Sequence, residues 1–113
     1  RKMQKNIKGA REMNNISISG RLTRDVDLSE TVSGAVNARF SVAVQDGKDK
    51  VDYFVCVAWD KEAKSIAKYF KKGSPIELYG SMNSFVTDTR TNWALTVRGW
   101  NFVQSKKEEE TPF

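Results

Sequence analysis

The sequence predicts an all-β fold: a five-stranded Greek-key barrel with one α-helix between its third and fourth strands. Three observations lead there. Five stretches of strand length are apolar on alternate residues or on both faces. One stretch, DKEAKSIAKYF, instead repeats its apolar residues at helical spacing. Glycines and an Asp-Gly pair punctuate the rest. With 113 residues the chain has room for one core and not for two.

Residues 1–12, RKMQKNIKGARE, hold five basic side chains and little periodicity, and read as a flexible basic arm or an expression remnant. The domain is expected over 13–104. Its first strand places Ile16, Ile18 and Leu22 on one face, with Gly20 where a bend or bulge would sit. DLSETVSG reads as a polar loop. NARFSVAVQ alternates, with Phe40, Val42 and Val44 inward and Arg39, Ser41 and Ala43 outward. Asp46-Gly47 can take the positive φ of a tight hairpin, from which the third strand, VDYFVCVAW, returns.

That third strand is apolar on both faces: Val51, Tyr53, Val55, Val57 and Trp59 on one, Phe54, Cys56 and Ala58 on the other. One face can be core, so the other needs a second explanation. Asp60 follows as a candidate N-cap, with Lys71 and Lys72 in the last turn and Gly73 as the C′ residue of a three-turn helix. Ala63, Ile66, Ala67 and Phe70 form its apolar face, while Lys61, Lys64, Lys68 and Lys71 form a stripe that reads as solvated. IELYGSMNSFVT reads as a long strand kinked at Gly80, and after a TDTRTN turn WALTVRGWNFV reads as the last. The order β-β-β-α-β-β is that of the OB-fold, in which the helix stoppers one end of the barrel.

The single cysteine rules out an intrachain disulfide and suits a reduced cytoplasm. No apolar run approaches the ~18 residues of a membrane span. Without histidine the most versatile general base is missing, so catalysis has no visible centre, and neither a metal cluster nor a cofactor is expected. Nineteen basic against fourteen acidic side chains, a net charge of +5, invite an anionic partner.

If Phe54, Cys56 and Ala58 fill the barrel, Tyr53 and Trp59 lie outside it. Exposed rings among basic side chains suit unpaired bases, which offer a π-face to stack and a phosphate to neutralise. Arg39, Lys48, Lys50 and Arg90 could supply the charge. The same rings could equally pack a subunit interface.

NNISISGRLTRDVDL resembles the opening of bacterial and phage single-stranded-DNA-binding proteins, M-N-x-(apolar)-x-(apolar)-x-G-x-L-T-x-D-P-E-x. The resemblance continues through FSVAV, DYFVCVAWDKEAKSIAKYFKKGSPIELYG and the last strand, covering roughly residues 13 to 103; its most specific part runs from Trp59 to Ser74. The family implies an OB-fold that binds single strands with little sequence preference, commonly as a homotetramer, in replication, recombination or repair. Tyr53 and Trp59 fall where the family carries stacking rings; on the next strand the register lands on Thr87, which makes Phe85, two residues earlier, the substitute. The hairpin after the second strand is short here, about QDGKDK, and Val26 replaces the usual proline. The ending EEETPF resembles the family's acidic tip, which implies partner docking through Glu108, Glu109, Glu110, Pro112 and Phe113 in a short tail over 105–113. The small size suggests a phage- or plasmid-encoded accessory in a bacterial cytoplasm. Two other readings fit the pattern: an OB module for RNA, and an OB domain used only for protein assembly.

Overall fold

The computed structural model describes residues 12–103. In chain order the elements are β1 (Ile16–Leu22), β2 (Asp27–Glu30), β3 (Val36–Gln45), β4 (Val51–Trp59), α1 (Asp60–Tyr69), β5 (Pro75–Thr87) and β6 (Arg90–Phe102). The strands run β1-β5-β6-β4-β3-β2 across the sheet, and an added β1–β3 pairing closes the ring. β1 accomplishes this by changing partners. Residues 16–21 pair with β5, and Arg21 and Leu22 then pair with Ala43 and Val42 of β3. Gly20 sits at the crossing, where a Cβ would collide with the Ala43 carbonyl. This is the all-β barrel with a single helix expected from the pattern.

The count of strands differs. The supposed polar loop DLSETVSG contains β2, paired antiparallel with β3 from Asp27↔Arg39 to Glu30↔Val36, so the described strands number six. Every residue of β2 is exposed, which explains why it carries no hydrophobic alternation to read. The helix keeps its expected place in the chain and becomes the element between the fourth and fifth strands.

The core is built from the inward residues of the strands, among them Leu22, Phe40, Val42, Cys56, Ile76, Leu78 and Leu95. Ala63, Ile66 and Phe70 from α1 close its end. The ends of α1 depart from expectation. Asp60 makes no cap bond; it turns the corner with φ +47 and its carboxylate accepts the Val36 N–H at 3.1 Å. The helix stops at Tyr69 with Phe70 extended, so Lys71 and Lys72 lie beyond it. Gly73 serves the following turn at φ +86, donating its N–H to Leu22 O at 2.8 Å.

β5 and β6 form the longest hairpin, paired from Ile76↔Phe102 out to Thr87↔Arg90. Its turn is the two residues Asp88 and Thr89, with Asp88 at φ +54, tighter than the expected TDTRTN. The register slips between Tyr79 and Gly80. A Cβ on Gly80 would run into the Thr96 carbonyl, so glycine permits the close approach that bends the hairpin. Among the described residues no helix is long and apolar enough to cross a membrane.

Most of the expected basic arm lies outside the described residues; only Glu12 falls within them, exposed and without regular structure. The acidic tail, Glu108, Glu109, Glu110, Pro112 and Phe113 included, also lies outside them.

Candidate nucleic-acid interface

Strand β4 has two faces with opposite fates. Cys56 and Ala58 are fully buried, while Tyr53 is 68% and Trp59 43% exposed. The pleat alone produces this, because successive side chains leave on opposite sides of the sheet. Burial also pushes the Cys56 thiol up to about 12, so it is protonated at neutral pH and unsuited to nucleophilic work.

The outer face extends across three neighbouring strands. Arg39 of β3 stands opposite Val57, and Val57 in turn lies beside Thr96 of β6. Thr96 and Ala94 pair with Ser81 and Asn83 of β5, whose alternation then brings Phe85 to the same side. A hollow of about 250 Å³ results, lined by Asn37, Arg39, Trp59, Asn83, Phe85 and Thr96, with Val57 and Ala94 beneath. Two aromatic rings, an apolar floor and a guanidinium therefore meet in one place. Asn83 fixes the polar side, its Oδ1 accepting from Thr96 Oγ1 at 2.7 Å and from Ser81 Oγ at 3.1 Å. Asn37 is held likewise by Ser29 Oγ, which donates to its Oδ1 at 3.2 Å.

Arg39 also lines a second hollow of about 370 Å³ with Arg24, Asp25, Asp27, Ser41 and Val55. It thus stands between the Trp59 end of β4 and the Tyr53 end. Tyr53, opposite Ala43, is six residues from Trp59 on the same face, about 20 Å along a strand. It extends the platform without sharing the Trp59 hollow.

The remaining expected cations lie apart. Lys48 and Lys50 are exposed in the β3–β4 loop, closed by the Asp46 N–H on Lys50 O at 2.8 Å. Lys50 reaches Asp46 at 3.9 Å and Asp52 at 3.8 Å, so its charge is partly answered within the loop. Arg90 is exposed at the tip of the β5–β6 hairpin, opposite Thr87.

Arg24, Asn37, Asn83 and Thr96 were not anticipated. Asn37 shares Arg39's phase on β3, and Asn83 shares Phe85's on β5, so alternation could have located both. Arg24 sits in an aperiodic turn and Thr96 is brought in only by the parallel β4–β6 pairing, a non-local contact that no local pattern encodes.

Against known proteins, the model of the single-strand binding protein family matches residues 13–107. A single-stranded DNA-binding protein of Bacillus cereus is 43% identical over 68 residues, which cover 55% of this chain and 40% of that one. Single-stranded DNA-binding protein 1 of Streptococcus pyogenes is 37% identical over 78 residues, 64% of this chain and 60% of the relative. One from Borreliella burgdorferi is 41% identical over 78 residues, 63% and 52% respectively. In each case less than two thirds of the relative's length is matched. The family match takes in every strand of the barrel and the helix that closes it, and the chain belongs to the single-strand binding protein family.

Proposed function

We propose that this chain binds single-stranded DNA with little sequence preference, over an OB domain spanning about 13–104. The observation that carries this is the convergence of Trp59, Phe85 and Arg39 on one outer hollow. Bases stack on the rings at roughly 1–3 kcal/mol each, and any base can do so because each has a π-face. Arg39, with Lys48, Lys50 and Arg90 farther out, neutralises phosphates. Tyr53 extends the stacking path. The membership supports a binding role and no enzymatic one, and the relatives' names supply the ligand.

Intrinsic tryptophan fluorescence tests the reading. Titrating poly-dT should quench emission, and Trp59→Ala should remove most of the response while Trp93 and Trp100 keep emitting. No change with oligonucleotide would favour a domain used only for assembly. Competition between matched DNA and RNA strands decides which polymer is preferred, since stacking does not read the 2′-OH.

Protection of single strands during replication, recombination or repair in a bacterial cytoplasm follows as the setting we propose. Assembly as a homotetramer is part of the same reading, and light scattering should then return four times 12.8 kDa; a monomer at micromolar concentration overturns it. The tail over 105–113 is proposed to dock partner proteins through Glu108, Glu109, Glu110, Pro112 and Phe113, with an apolar pocket on the partner receiving the Phe113 ring and basic residues its carboxylate and the glutamates. Pull-downs with the intact chain, with residues 108–113 removed and with Phe113→Ala test this; equal recovery of replication and repair proteins by all three sinks it.

A further inference from the structure

The positive charge of the described domain is not where the aromatic hollow is. Residues 12–103 carry twelve basic and eleven acidic side chains, nearly balanced. Within them, the short segment 61–72 holds five lysines and a single glutamate, leaving seven basic against ten acidic everywhere else. Lys61, Lys64 and Lys68 occupy one side of α1, opposite the buried Ala63 and Ile66, and Lys71 continues the line past the helix end. All four are exposed, and none makes an ion pair among the described residues, where the only ion pairs are those of Lys50. At the far end of this face stand the half-exposed rings of Tyr69 and Phe102, edge to face with centroids 5.7 Å apart, with the Lys68 Nζ 5.2 Å from the Tyr69 centroid.

The lysine face begins next to the hollow in the chain. Trp59 ends β4 and Asp60 begins α1, so Lys61 follows the stacking ring by two residues. Asn37 lines the hollow, and Ser29, which donates to it at 3.2 Å, lines the next depression, about 280 Å³, together with Leu28, Glu30, Val36 and Lys64. A strand leaving Trp59 by this route would pass Glu30 and reach Lys64. Lys68 and Lys71 lie a further turn and two turns on, spaced by 1.5 Å per residue while the helix lasts.

We infer that the outer face of α1 is a second subsite for the same single strand, holding the phosphates of a segment that has left the aromatic hollow, with Tyr69 at its end. The inference rests on the single-strand reading above, and complementarity between an unpaired lysine row and a polyanion identifies the occupant.

The test uses two thymidine oligonucleotides, one of about 5 and one of about 16 nucleotides, the ends of the usual range for one OB domain. Affinities of the intact protein and of Lys64→Gln/Lys68→Gln/Lys71→Gln are measured against salt. Each phosphate neutralised contributes about −0.7 to the slope of log K against log salt, so three lost contacts should flatten the long-strand slope by about 2. The short strand, filling only the hollow, should keep its slope, and the matching Lys→Arg triple variant should restore the long one. A slope unchanged for both lengths overturns the subsite and leaves the row to an acidic peptide or to solvent, and equal flattening for both overturns it too, since that would mean diffuse charge. If the intact protein binds neither oligonucleotide, the single-strand reading itself has failed.

Discussion

The outer groove and the helix face use opposite chemistry. The groove is aromatic, floored by Val57 and Ala94, and held by sheet pairings on every side, with Arg39 as the cation at its centre. The helix face is a row of solvated lysines on a plug whose other side is fixed in the core by Ala63, Ile66 and Phe70. Stacking affinity is short-ranged and needs rings held in register. Coulombic affinity is long-ranged and tolerates loose side chains, at the cost of salt sensitivity. A domain that separates the two can hold bases by geometry in one place and phosphates by charge in another.

The largest blow to the groove should come from a residue that touches no ligand. Gly80→Ala places a methyl group against the Thr96 carbonyl, a backbone atom that cannot swing aside. Overpacking of this kind costs roughly 1–3 kcal/mol or more. The hairpin carrying Asn83 and Phe85 must shift, so urea melts should show lower stability and binding should weaken with it. Unchanged stability and affinity would mean the Tyr79/Gly80 bend does not set the position of Phe85.

Trp59→Ala comes next, at about 1–3 kcal/mol of binding, the worth of one base–aromatic stack. Because a ring neutralises no phosphate, the loss should be the same at every salt concentration. A changed slope would show that the two kinds of affinity are not separable here.

Much of this division was legible in the chain. Alternation in VDYFVCVAW placed Tyr53 and Trp59 outside and Cys56 and Ala58 inside, and helical spacing separated Ile66 from Lys64 and Lys68. β2 was not legible, since a wholly exposed edge strand has no buried face to advertise it. The caps were misread for a similar reason. The Asp60 carboxylate accepts the N–H of Val36, twenty-four residues earlier, and the Gly73 N–H donates to the strand-end carbonyl of Leu22, so both answer to tertiary partners. Of the hollow's residues, Arg39, Trp59 and Phe85 were visible as strand positions. Their convergence depended on the β4–β6 pairing, which joins segments nearly forty residues apart.

A pH experiment probes the inner side of the same strand, at about 1.4 kcal/mol per pH unit. Cys56 lies beneath the groove, its Sγ 3.6 Å from the Phe54 carbonyl, and burial lifts its pKa from 9.0 to about 12. The folded pKa lies above the unfolded one, so the thiol's contribution is fully present below pH 9. It is lost as pH climbs toward 12, because the unfolded state ionises first. Stability should therefore fall by about 1.4 kcal/mol for each unit in that window, and the fall should be shallower in Cys56→Ala. Identical alkaline slopes in the two proteins would mean the groove floor lets water reach the sulfur.

The smallest expected effect, and the sharpest on the comparison, belongs to Arg39. It lines both outer hollows, and among the described residues no carboxylate lies within ion-pair distance although Asp25 and Asp27 share one of them. Arg39→Gln removes one charge from the groove and leaves Trp59 and Phe85 in place. One phosphate contact corresponds to about 0.7 in the salt slope, which between 50 and 200 mM salt amounts to roughly a threefold change in affinity. Unlike the helix lysines, Arg39 should count equally for short and long strands, because every strand that reaches Trp59 passes it. Arg39→Lys should restore the slope, yet recover less of the affinity, since an ammonium lacks the planar face that stacks with a base or ring. If Arg39→Gln affected only long oligonucleotides, the strand would enter from the helix side and reach the groove last, reversing the order in which the two faces act.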